Sequence, residues 1–112
     1  MTTPFRAGLV IFAVLAGGCG GHGATAPTTL TVVQVNFRFE PANLTLARGG
    51  VVSVKDDAPV TPHTFTIRGT DVDVRNDAGD IGTALIDLPP GTYTFICRYH
   101  VSQGMRGTLV VR

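Results

Sequence analysis

The chain has 112 residues, 15% of them charged, with nine Lys and Arg against eight Asp and Glu. A net charge so near zero excludes a protein that holds nucleic acid mainly by a basic surface, which needs a strong cationic excess. At 44% hydrophobic residues the chain is too apolar to stay disordered, and its length suffices for one domain.

The apolar residues are densest at the start. Residues 9–16 (LVIFAVLA) form an unbroken run behind Arg6, shorter than the roughly 20 residues that span a bilayer. A basic residue, an apolar run and small residues after it describe an export signal over residues 1–18. Leu15-Ala16-Gly17-Gly18-Cys19 resembles the cleavage region of a bacterial lipoprotein, although Leu15 stands four places before the cysteine and the usual leucine three. The resemblance implies an exported protein held at the membrane by a lipid on Cys19; an ordinary signal cut near Ala24 is the alternative. Residues 19–29 are small, polar and Gly- and Pro-bearing, which makes them a flexible tether. His22, within it, reads as a solvated linker side chain.

The folded domain is then residues 30–112, with eight basic and eight acidic side chains once Arg6 is set aside. Residues 30–39 are rich in β-branched and aromatic side chains, and their alternation shifts phase near Val32-Val33, which predicts a bulge. Residues 40–43 turn the chain. Leu44 and Leu46 alternate, Arg48-Gly49-Gly50 turns again, and Val52 and Val54 alternate with polar partners. His63, Phe65 and Ile67 share one face of the next strand. Residues 68–80 read as a polar loop. Residues 81–88 hold a short strand, Tyr93, Phe95 and Cys97 share a face of a strong one, and residues 108–111 close the chain. No window has a helical period. Short strands between regularly spaced turns predict an all-β fold, an antiparallel Greek-key β-sandwich. Leu88-Pro89-Pro90-Gly91-Thr92-Tyr93 matches a tyrosine corner, so Tyr93 is structural.

Cysteine usage is informative. With Cys19 lipidated or removed, Cys97 is the only thiol of an exported domain, and a disulfide within the domain is impossible. In an oxidising compartment such a thiol is buried and inert, paired between chains, or bound to something. Its neighbours favour the last. Strand alternation turns His63 and Cys97 toward one interior. His100 and Met105 follow in Cys97-Arg98-Tyr99-His100-Val101-Ser102-Gln103-Gly104-Met105. One thiolate, two imidazoles and one thioether are the ligand set of a blue-copper centre, a His2Cys plane with a weak axial Met. Three donors on one loop fix most of the coordination sphere locally, and Gly104 lets that loop bend. The aspartates Asp71, Asp73, Asp77 and Asp80 do not make an EF-hand, because Arg75 and Asn76 stand where an oxygen ligand and then Gly are required.

These residues resemble the cupredoxins, and the Cys-x2-His-x4-Met loop resembles that of plastocyanin and pseudoazurin. Phe39-Glu40-Pro41 with Leu44-Thr45-Leu46, Pro62-His63-Thr64, Gly91 to Cys97, and Gly104-Met105-Arg106-Gly107 carry the likeness. It implies one copper ion, cycling between Cu(I) and Cu(II), with His63, Cys97 and His100 equatorial and Met105 axial. It further implies a non-enzymatic carrier of single electrons between redox proteins; the export signal puts that carrier at the cell envelope, and a monomer is the default. His100 would be the electron exit, within an apolar rim of Pro59, Pro62, Tyr99, Val101 and Met105. The rival expectation is copper delivery or sequestration by the same ligands. Three positions depart from the family pattern: Thr64 replaces a bracing Asn, Arg98 a small polar residue, and Tyr99 a Pro.

Overall fold

The computed structural model describes residues 25–112. The export segment, Cys19 and His22 lie outside the described residues. Nine strands follow in chain order: β1 (Thr29–Val35), β2 (Arg38–Glu40), β3 (Asn43–Leu46), β4 (Gly50–Asp56), β5 (His63–Thr66), β6 (Asp73–Asn76), β7 (Ile81–Ile86), β8 (Gly91–Ile96) and β9 (Arg106–Val111). A single 3-10 turn, Val101–Gln103, precedes β9. Among the described residues no helix is long and apolar enough to cross a membrane.

The strands form two sheets, β2-β1-β4-β7 and β3-β9-β8-β5-β6. Both are mixed rather than antiparallel: β1 runs parallel to β4, and β3 parallel to β9. Alternation cannot reveal this, because it has the same period in either direction.

Inward side chains from both sheets make one core, with Val32, Val52, Val54 and Ile86 from the first and Leu44, Leu46, Phe65, Phe95 and Leu109 from the second. Phe65 and Phe95 stack with centroids 4.7 Å apart, and Phe39 meets Phe95 edge-on at 4.8 Å. Gly107 pairs with Phe95 across β8 and β9. A Cβ there would run into the Phe95 ring and the Ala42 carbonyl, so the aromatic stack requires glycine at this point.

Two expectations change. The ladder between β1 and β4 runs without interruption from Thr29 to Gln34, so there is no bulge at Val32-Val33. The apparent phase shift arises because the inward face of β1 carries Val32 and then the fully buried Gln34. The span 68–80 is not all loop: β6 pairs with β5 from Asp73 to Asn76. Its inward positions are Val74 and the buried Asn76, and a polar residue facing the core hides the strand. The Asn76 amide is satisfied inside, donating to Val54 O at 2.9 Å and Gln34 Oε1 at 3.2 Å.

The tyrosine corner is present. Tyr93 O–H donates to Pro89 O at 2.6 Å. Tyr93→Phe removes this bond while keeping the ring. Urea unfolding should show a loss of about 1 kcal/mol with an unchanged fold; unchanged stability would deny the corner an energetic role.

Candidate metal centre

The pleat of β5 and β8 places the donors. His63 and Cys97 each lie two residues from a stacked phenylalanine, Phe65 and Phe95, so they continue the same inward faces. Both are fully buried, as is Met105, while His100 is half-buried. The segment from Cys97 to Met105 is tied by its own backbone. His100 N–H donates to Cys97 O at 3.2 Å, Met105 N–H to His100 O at 3.2 Å, and Cys97 N–H to Met105 O at 3.0 Å. Gly104, at φ +77°, ends the 3-10 turn in the left-handed region, as the bend before Met105 requires.

Cys97 Sγ lies 3.7 Å from His63 Nδ1 and 3.3 Å from His100 Nδ1. A first-row ion bonded at about 2.0 Å to nitrogen and about 2.3 Å to sulfur, the lengths zinc makes, holds N and S about 3.7 Å apart at a trigonal angle. The His63 separation equals this value, the His100 separation is shorter, and all three donor atoms lie within 4.8 Å of one another. Among the described residues they are the one group of three or more His, Cys or carboxylate side chains so placed.

The tautomer is fixed by a residue the sequence did not single out. Asn36 Oδ1, at the turn between β1 and β2, lies 3.0 Å from His63 Nε2. An amide oxygen only accepts, so Nε2 carries the proton and the Nδ1 lone pair faces the sulfur. The Thr64 N–H donates to Cys97 Sγ at 3.4 Å, which orients the sulfur toward the imidazoles. Burial holds His63 below its ordinary pKa of 6.5; Asp56 works against this and His100 with it.

The surface around His100 differs from the expected rim. Met105 is 0% exposed and contributes nothing to it. Phe37 takes its place: it is 42% exposed, and its ring centroid lies 4.7 Å from that of His100. Tyr99 stands edge-on to His100 at 6.4 Å. The only sequence signal for Phe37 was an exposed aromatic beside Asn36, hidden in a run read as one strand. Three of the four aspartates of 68–80 are engaged elsewhere: Asp73 with Arg98, Asp77 with Arg75, and Asp80 with the Asp77 N–H.

Residues 8–111 match the family model of the cupredoxin-like domain, and the chain belongs to that family. Cytochrome c oxidase subunit 2 of Thermus thermophilus is 30% identical over 94 residues, covering 79% of this chain and 70% of that protein. The same subunit from a second strain of that species is 30% identical too, and the match covers 56% of it. Among solved structures, auracyanin from Roseiflexus castenholzii superposes with a TM-score of 0.67 at 18% identity, over 78% of this chain and 98% of that one. Plastocyanin from Dryopteris crassirhizoma gives 0.57 at 28% identity, over 73% and 99%. Within this fold, the arrangement of His63, Cys97, His100 and Met105 fits a single copper ion.

Two outcomes follow from this geometry. Asn36→Ala frees the His63 ring, and titration with Cu(I) under a competing chelator should show at least about tenfold weaker binding; unchanged affinity would remove Asn36 from the site. For the metal-free protein, a His63 pKa lowered by folding means that the unfolded chain takes up the proton at the higher pH. The associated stability is complete above pH 6.5 and is lost as the pH falls through that value. Urea unfolding at about pH 7.5 and about pH 5.5 should give the lower stability at the acid end, and His63→Gln should flatten that difference.

Proposed function

We propose that this chain is a mononuclear blue-copper protein that carries single electrons between redox partners at the cell envelope. The observation that carries the proposal is the buried Cys97 sulfur, within 3.7 Å and 3.3 Å of two imidazole Nδ1 atoms. His63, Cys97, His100 and Met105 would hold the ion. Copper, when bound, supplies reversible one-electron chemistry.

The chain's own residues do the rest. Thr64 N–H orients the sulfur toward the imidazoles. Asn36 holds His63 in the binding tautomer. Met105, fully buried, would add the fourth protein donor, so that protein side chains alone would supply the ligands. His100 is the ligand that reaches the surface, so it is the electron exit. Phe37, Tyr99 and Val101, exposed at 42%, 43% and 44%, supply an apolar rim beside it. A small patch of this kind suits a brief redox encounter. An export signal and a lipid on Cys19 would hold the domain at the membrane as a monomer, with the tether giving it reach.

The test is the visible spectrum of the protein titrated with Cu(II) and then with ascorbate. An intense thiolate-to-copper band that bleaches on reduction and returns on reoxidation is expected. Tight Cu(I) binding without colour would instead favour copper delivery, and binding of neither ion would refute the site. In His100→Ala the exit is removed, and electron self-exchange should slow by at least about tenfold; unchanged exchange would move the exit elsewhere.

A further inference from the structure

The ladder between β5 and β8 consists of one register pair, Thr66 with Ile96. β8 ends at Ile96, so His63 on β5 and Cys97 just after β8 lie beyond the last register pair. Side chains hold the strands together there. Arg98 N–H, directly after the cysteine, donates to Thr64 Oγ1 at 2.8 Å. Thr64 Oγ1 lies 3.0 Å from Thr66 Oγ1, which lies 2.7 Å from Asp73 Oδ1 on β6. The Arg98 guanidinium returns to the same carboxylate, with Nε 3.0 Å from Oδ1 and Nη2 3.4 Å from Oδ2.

The direction of this chain follows from proton counting. Each hydroxyl has one proton. An ionised carboxylate only accepts, so the Thr66 proton goes to Asp73. The Thr64 proton then goes to Thr66, and a Thr64 lone pair is left for the Arg98 N–H. Every donor has one acceptor, and the circuit closes on Arg98. Thr64 is fully buried and Thr66 nearly so, where an unpaired hydroxyl is costly. The Thr66 hydroxyl is also the largest influence holding the Asp73 carboxyl below the ordinary range, with Arg98 adding to it and burial opposing it.

We propose that Asp73, acting through Thr66 and Thr64, is a positioning residue for the Cys97 thiolate, setting from the surface of β6 the backbone on both sides of the sulfur. Thr64 is the residue through which both connections pass: its N–H donates to Cys97 Sγ, and its hydroxyl holds the Arg98 amide. The relay explains how a threonine stands where the family pattern has a bracing asparagine. Its effect on copper rests on the function proposed above; its geometry does not.

The test uses Thr66→Val, which breaks the relay at constant charge and nearly constant shape, and Thr66→Ser, which keeps the hydroxyl. Asp87→Asn serves as a surface-charge control, since Asp87 pairs only with exposed Arg48 among the described residues. In the metal-free protein, hydrogen exchange of the Arg98 amide should quicken about tenfold in Thr66→Val and recover in Thr66→Ser. In the copper-loaded protein, the thiolate-to-copper band and the reduction potential should shift in Thr66→Val and return in Thr66→Ser, with Asp87→Asn matching the parent. Because Thr66→Val removes no charge, a shift there is not a simple Coulomb effect. Unchanged exchange and an unchanged band in Thr66→Val would overturn the proposal. Should that variant not fold, Asp73→Asn decides: faster Arg98 exchange supports the relay, and unchanged exchange overturns it. A parent protein that never colours with Cu(II) would sink the blue-copper function, while the metal-free exchange still decides the relay.

Discussion

The sulfur of Cys97 is the point on which β5 and the loop after β8 converge. It accepts the Thr64 N–H from β5, faces Nδ1 of His63 at the head of that strand, and faces Nδ1 of His100 on its own loop. The strands that carry these groups have almost no backbone ladder between them. Ladder bonds lie in the plane of the sheet and the donors point out of it, so the short overlap leaves Cys97 and the residues after it free to follow the loop. The fold thus gives up sheet pairing where it needs chemistry, and side-chain bonds from Thr64, Thr66 and Asp73 take over the work of holding the edge together.

The polar interior follows the same logic. Gln34, Asp56 and Asn76 are buried on strands β1, β4 and β6, at the same end of the sandwich as His63. An all-apolar interior would be more stable at these positions, since buried polar groups gain little net energy. Their hydrogen bonds fix geometry instead: Asn76 ties β6 to both Val54 and Gln34 across the sheets. Two residues in from His63 and Cys97 the core turns aromatic, with Phe39, Phe65 and Phe95 in mutual contact. A rigid aromatic floor and a polar, directional roof are what a site needs when its donors must stay within fractions of an ångström.

This division also governs what the sequence revealed. The donor set was legible because metal chemistry restricts both residue type and spacing, and a lone Cys followed by His and Met at these intervals rarely serves packing alone. The strands bearing apolar alternation were legible for the same kind of reason. Gln34 and Asn76 broke that alternation from the inside, so β1 acquired a false bulge and β6 vanished into a loop. Parallel pairing left no trace, since side-chain period does not encode strand direction. Asn36 was invisible because an exposed Asn at a turn has many ordinary uses, and only the 3.0 Å approach to His63 Nε2 distinguishes it. Met105 was placed in the rim by its neighbours in sequence, whereas the left-handed bend at Gly104 turns it fully into the core.

A carrier of single electrons works best when its ligands move little between oxidation states, so rigidity before the ion arrives is part of the function. Three of the four donors here belong to one loop whose backbone bonds run among Cys97, His100 and Met105 themselves. Only His63 must be brought in from elsewhere, and it is restrained on both sides. Asn36, from the turn of the first sheet, holds its outer nitrogen. Thr64, the next residue, is bonded by its amide to the sulfur and by its hydroxyl to the loop. The distant ligand is thereby fixed relative to the local three by contacts from both sheets, and the sandwich itself, rather than the loop alone, sets the distance the metal must match.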